Sequence, residues 1–165
     1  NNGSNWFSTF TIDKGTKDGV KVDSNVLAGS GLVGIVTEAG PNYAQVRSII
    51  DDASNVSAMM LSTSDTCMVR GDLELMADGR LRFEKLPNND NVVEPGEQVV
   101  TSHVSSRFLQ GLFIGYVSDI DVDANNLTRS GYITPAVDFS KLQEVLVITT
   151  TKQDMTGGKD ADEGE

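Results

Sequence analysis

The run Phe10 to Val36, FTIDKGTKDGVKVDSNVLAGSGLVGIV, constrains this chain more than any other stretch. Strand-like pieces (Thr11-Ile12, Lys21-Val22, Asn25 to Leu27, Leu32 to Val36) alternate with Lys14-Gly15, Asp18-Gly19 and Gly29-Ser30-Gly31. Glycine permits the positive φ of tight turns, and β-branched Val and Ile suit the pleated runs between them. A strand-turn-strand rhythm this dense predicts a small β-barrel or sandwich. The run holds no nucleophile, metal ligand or phosphate cradle.

The remainder reads in the same way. Leu32 to Thr37 alternates as a half-buried strand does, and Ala44 to Ile50 places Val46, Ser48 and Ile50 on one face. Val56 to Leu61 and Cys67 to Arg70 are short strands. Leu73 to Leu75 is expected to pair with Arg80 to Phe83 as a hairpin, turning at Asp78-Gly79 in type I′ geometry. Asn88 to Asn91 is the best interior linker candidate. Gln98 to Thr101, Gly111 to Val117, Ser130 to Val137 and Val145 to Thr151 continue the strands. Asp138 could cap one helical turn between the last two. The fold class is all-β.

A chain of 165 residues makes one ordinary domain or two very small ones. A unit of about 70 residues is marginal alone, so two such units would have to share an interface. The net charge of −11 argues against nucleic acid and anionic lipid headgroups as direct ligands. Part of that charge sits in Lys152 to Glu165, which is almost free of large apolar residues and is expected to be disordered. A single cysteine, Cys67, excludes an internal disulfide and reads as a small buried apolar side chain. No run approaches the ~20 apolar residues of a membrane span, and no signal peptide is present.

Candidate chemistry is sparse. His103 is the only histidine and hence the natural general base, with Ser102, Ser105 and Ser106 beside it. No nucleophile turn accompanies them, and a Ser-His-Asp site is assembled in space, not along the chain. A solvent-facing loop histidine is the better account, and a Cys67–His103 pair fares no better. Asp119, Asp121, Asp123 and Asn125 alternate like the start of a calcium loop, but Ala124 and Ser130 stand where Gly and Glu are needed. Gly29-Ser30-Gly31 opens a strand and lacks the Lys-Ser/Thr end of a phosphate loop. The acceptor triplets at Asn55 and Asn126 carry no weight. Catalytic, metal and cofactor residues are therefore all assigned as none. Phe108, Leu109 and Leu112 cluster near Gln110-Gly111 and have two readings: they plug a barrel, or they give a partner an apolar contact.

The order IDKGTKDGVKV, GLVGIV, Thr101-Ser102, GLFIGYV and a closing strand at Leu142 to Val147 resembles MreC, the bacterial rod-shape-determining family. That resemblance implies two small β-barrels, similar to those of trypsin-like proteases but without catalytic residues. It implies a lead-in strand over 1–16 that pairs into either barrel, with the second preferred. It further implies a first barrel over 17–87, a second over 88–151, and the acidic tail over 152–165. The expected role is a non-catalytic scaffold of the cell-wall elongation machinery. Its expected partners are a class B penicillin-binding transpeptidase, MreD, MreB and further copies of itself, as dimer or filament. Location would be extracytoplasmic, anchored by a transmembrane helix outside this chain. Where many family members read TSG, this chain has Thr101-Ser102-His103, so the loop that follows departs from the pattern. Two rival readings remain: a β-barrel hydrolase using His103, and a peptidoglycan-binding module, for which Trp6 is the only tryptophan.

Overall fold

The computed structural model describes residues 6–29 and 31–156. The described residues form eleven strands: β1 (Thr9–Ile12), β2 (Asn25–Ala28), β3 (Gly31–Ala39), β4 (Ala44–Ser48), β5 (Asn55–Met60), β6 (Thr66–Arg70), β7 (Leu81–Pro87), β8 (Gln98–Thr101), β9 (Phe113–Val122), β10 (Thr128–Pro135) and β11 (Leu146–Ile148). They form two units. One is a five-stranded sheet in the order β1-β4-β3-β2-β11, and the other a closed six-stranded barrel, β10-β7-β6-β5-β8-β9. All pairings are antiparallel. The all-β reading holds.

The division between units differs from the sequence-based one. A boundary at 87/88 falls inside the closed barrel, where β7 pairs with β10 and β5 with β8. The five-stranded sheet takes its strands from 9–48 and regains the chain at β11. The lead-in strand β1 joins β4 in that sheet, not the barrel. Long-range strand pairing decides such boundaries, and short-range composition carries no trace of it.

Asn88 to Asn91 is accordingly a fastened loop, not a linker. Arg129, nearly buried, donates from Nε (3.0 Å) and Nη2 (2.8 Å) to the Pro87 carbonyl and from Nη1 to that of Asn91 (2.9 Å). The side chains of Asn89 and Asn91 donate to the two oxygens of Asp65. Buried guanidinium donors must be satisfied, and here backbone carbonyls do most of it.

Three local expectations are also corrected. Residues 73–79 do not form a strand: Asp72 Oδ1 accepts the amides of Glu74 and Leu75, which starts a 3-10 turn at Leu75–Asp78 that Gly79 (φ 68°) ends. Leu81 and Phe83 do point inward, as read. At Asp138 the side chain accepts the amide and hydroxyl of Ser140, making a turn instead of a helical one. Residues 152–156 form one helical turn, tied down by an Asp154–Lys21 ion pair of 2.6 Å and by Gln153 donating to Asp23. The remainder of the expected tail, 157–165, lies outside the described residues, as do 1–5 of the lead-in.

β3 explains how the units join. Gly31 to Val36 are all buried, so this strand is covered on both faces, not half-buried. A Cβ at Gly31 would meet the Phe113 carbonyl of β9 at 3.0 Å, which marks the contact between the sheet and the barrel. The buried apolar residues of both units form one contiguous core.

Candidate partner-binding surface

Thr101, at the end of β8, organises the loop that the sequence singled out. Its hydroxyl donates to the Leu109 carbonyl (2.5 Å) and accepts the Leu112 amide (2.8 Å), while its backbone pairs with Leu112 and Gly111. Gly111 sits at φ 85°, a left-handed conformation that a side chain would strain. Ser102 Oγ accepts the Val104 amide, and Ser105 Oγ accepts that of Phe108 at 3.0 Å. These bonds satisfy several of the loop's backbone amides and carbonyls from within, which fixes its backbone.

Asn25, on β2 and fully buried, was not singled out by the sequence reading. Its Nδ2 donates to the Arg107 carbonyl (3.0 Å), and its Oδ1 accepts the Leu109 amide (2.8 Å). One side chain of the sheet therefore grips a barrel loop on either side of Phe108, 82 and 84 residues away. The only signal in the sequence is a polar residue opening an apolar strand, which many turns share.

Phe108 is 6% exposed and packs in the core, so its ring presents no surface to a partner. Leu112 is half-buried and packed against that core, and Leu109 is half-buried at the loop tip. The structure thus brings the three residues to one loop but places the largest of them inside. A second apolar surface went unread: a groove of about 630 Å³ between β1 and the 142–147 segment, with Phe7, Phe10, Ile12, Leu142, Val145 and Val147 in its walls. Each wall was assigned to a different part of the sequence, so no local pattern joins them.

Burial pushes the Cys67 thiol up to about 12, keeping it protonated at neutral pH and inert as a nucleophile. His103 is exposed, its carbonyl accepts Lys152 Nζ at 3.2 Å, and among the described residues its ring bonds neither serine nor cysteine. Asp123 accepts hydroxyls from Ser130 (2.6 Å) and Thr128 (2.5 Å) across a hairpin, and Asp119 pairs with Arg80 at 3.5 Å. Among the described residues no three His, Cys, Asp or Glu groups converge on a possible metal position.

The profile described as "Rod shape-determining protein MreC, barrel core" matches residues 1–149. The chain belongs to the MreC family. The cell shape-determining protein MreC of Listeria monocytogenes is 32% identical over 171 residues, covering 96% of this chain and 57% of that protein. The MreC of Bacillus subtilis is 32% identical over 151 residues, covering 87% of this chain and 52% of its own length. This chain therefore spans little more than half of these MreC relatives. A solved MreC structure from Listeria superposes with a TM-score of 0.78 at 33% identity, covering 88% of this chain and 70% of that one. MreC from Helicobacter pylori, solved as a complex with the penicillin-binding protein PBP2, shares the fold at a TM-score of 0.58 and 16% identity, over 74% of each chain.

Proposed function

We propose that this MreC-type barrel region is a non-catalytic scaffold of cell-wall elongation that binds a class B penicillin-binding transpeptidase. The observation that carries the reading is its fold, shared with an MreC solved in complex with PBP2. The rigid loop after Thr101 supports it, because a preformed surface avoids the cost of ordering on binding. Leu109 and Leu112 are the proposed contacts there, with Phe108 as the plug that holds them in place.

Leu109→Ala is expected to weaken binding to the purified transpeptidase by ~2 kcal/mol, about thirtyfold, with an unchanged melting temperature. Phe108→Ala is expected to cost ~3 kcal/mol or more of stability instead. Unaltered affinity in Leu109→Ala would remove this loop as the contact. Absence of binding by the parent chain would remove the transpeptidase reading itself.

The same proposal includes MreD and MreB as partners, an extracytoplasmic position, and anchoring by a helix outside this chain. No described helix is long and apolar enough to cross a membrane. Self-association is supported by the outer edges of β1 and β11, since an unpaired edge can take another chain's strand. Sedimentation that stays monomeric up to high concentration would end that part. Against the hydrolase rival, His103→Ala is expected to complement a cell-shape defect fully. Loss of complementation by a normally folded variant would revive the enzyme.

A further inference from the structure

A second cavity, of about 430 Å³, lies where the five-stranded sheet, the start of the barrel and the loop 104–108 meet. Its chemistry is unlike the rest of the molecule. Acids outnumber basic residues 24 to 13 in this chain, yet no Asp or Glu lines the cavity, while Arg47 and Arg107 both do. Ser54, Ser57, Ser105 and Ser106 add hydroxyls to the same lining, although Ser57 already bonds Ser102 and Ser105 already accepts two loop amides. The apolar part is supplied by Ile35, Met68 and Phe108.

Among the described residues Arg107 is uncommitted elsewhere, and Arg47 is held only by a long ion pair to Asp51. Arg47 Nε is buried without a hydrogen bond, and its nearest carboxylate oxygen, Asp51 Oδ2, is 3.7 Å away, too far for one. Arg107 makes no side-chain hydrogen bond or ion pair among the described residues, although its backbone is fixed by Asn25 and Ser105. Two arginines, serine hydroxyls and apolar side chains lining one cavity suit a tetrahedral oxyanion. Such an anion offers more acceptor sites than a carboxylate, and Arg binds it in bidentate fashion.

We propose that this cleft between the sheet and the barrel is a binding site for a phosphate ester. The net charge of −11 does not forbid it. At physiological salt, charges more than ~8 Å from the anion are largely screened, and the one carboxylate recorded beside the lining arginines, Asp51, is offset by Arg47 itself. A nucleic acid would still meet an acidic surface beyond the cleft, which limits the ligand to a group the cavity can enclose.

The test is a proton–nitrogen NMR titration of the whole chain at fixed ionic strength, with methyl phosphate, dimethyl phosphate and acetate as probes. A phosphate probe is expected to give saturable shifts confined to the amides of 47, 54–57 and 104–108. Arg107→Gln, at an exposed position, should weaken binding about tenfold without altering the fold, and Arg107→Lys should restore part of it. Arg82→Gln, on the barrel exterior, should bind as the parent does. Preference for methyl phosphate points to a monoester ligand, and preference for dimethyl phosphate to a diester; either supports the site. Shifts that do not saturate, that spread to the other arginines, or that survive Arg107→Gln overturn the proposal. Acetate binding as tightly as the phosphates overturns it as well.

Discussion

Single residues carry joints in this molecule that their local sequence does not advertise. Arg129 closes the 87–91 loop with its whole guanidinium, so Arg129→Met removes the side-chain donors to the Pro87 and Asn91 carbonyls and is expected to cost ~1–3 kcal/mol in chemical denaturation. The titratable groups define two pH windows. Asp65, Asp123, Asp138 and Asp154 are held below the ordinary carboxylate range, chiefly by Asn91, Ser130, Ser140 and Lys21 respectively. A depressed folded-state pKa stabilises above the unfolded value of ~3.9 and stops doing so as pH falls through the folded one. Melting temperature should therefore drop below about pH 4, and Asp123→Asn should flatten that limb. Cys67 acts in the opposite sense. Its raised pKa gives stability that is complete below pH 9.0, the ordinary value, and declines as pH rises toward about 12. Cys67→Ala is expected to reduce this alkaline decline, to which Tyr43, raised by its hydrogen bond to Glu38, adds in the same sense, and the native thiol should resist alkylation at neutral pH until the chain is unfolded.

At the scale of elements, two glycines and one lysine set strand geometry. The motif glycines of GLVGIV and GLFIGYV, Gly34 and Gly115, lie where an added Cβ would collide with the backbone carbonyls of Arg47 and Thr134 on the neighbouring strands. Gly34→Ala or Gly115→Ala should each destabilise by ~1–3 kcal/mol. On β7 the buried residues change phase: Leu81 and Phe83 point inward, then Leu86. Lys85, at φ 63°, supplies the extra residue, for Phe83 pairs with Gly131 but Leu86 with Arg129. Lys85→Gly should be neutral or stabilising, whereas Lys85→Val should lose ~1–2 kcal/mol, since a β-branched residue tolerates that φ poorly. The strands were legible because alternation and turn glycines are local signals. The 71–80 segment misled because Asp-Gly also ends 3-10 turns, and only Asp72 capping the amides ahead of it distinguishes the two.

At the scale of the whole molecule, the sheet and barrel share a core and are pinned together by Asn25. Asn25→Ala should free the 107–109 backbone around Phe108, weaken transpeptidase binding as Leu109→Ala does, and raise amide exchange in 104–109. Exchange should partition at 49–54 and 136–145, where the chain passes between units, and not at 88–91. A single exchange step at Asn88 to Asn91 would contradict the closed barrel.

That the chain is all-β, where most strands lie, and which family pattern it follows are legible in the amino-acid order alone. Those properties arise from turn residues, alternation and motif order, all readable within about ten residues. Only the tertiary structure decided that β7 and β10 share a barrel, that β1 joins β4, that Phe108 points inward, and that Arg47 and Arg107 face one cleft. Each of these depends on pairing or packing between residues tens of positions apart. The free energy that selects such contacts belongs to the closed sheet and its shared core, and no short segment carries it.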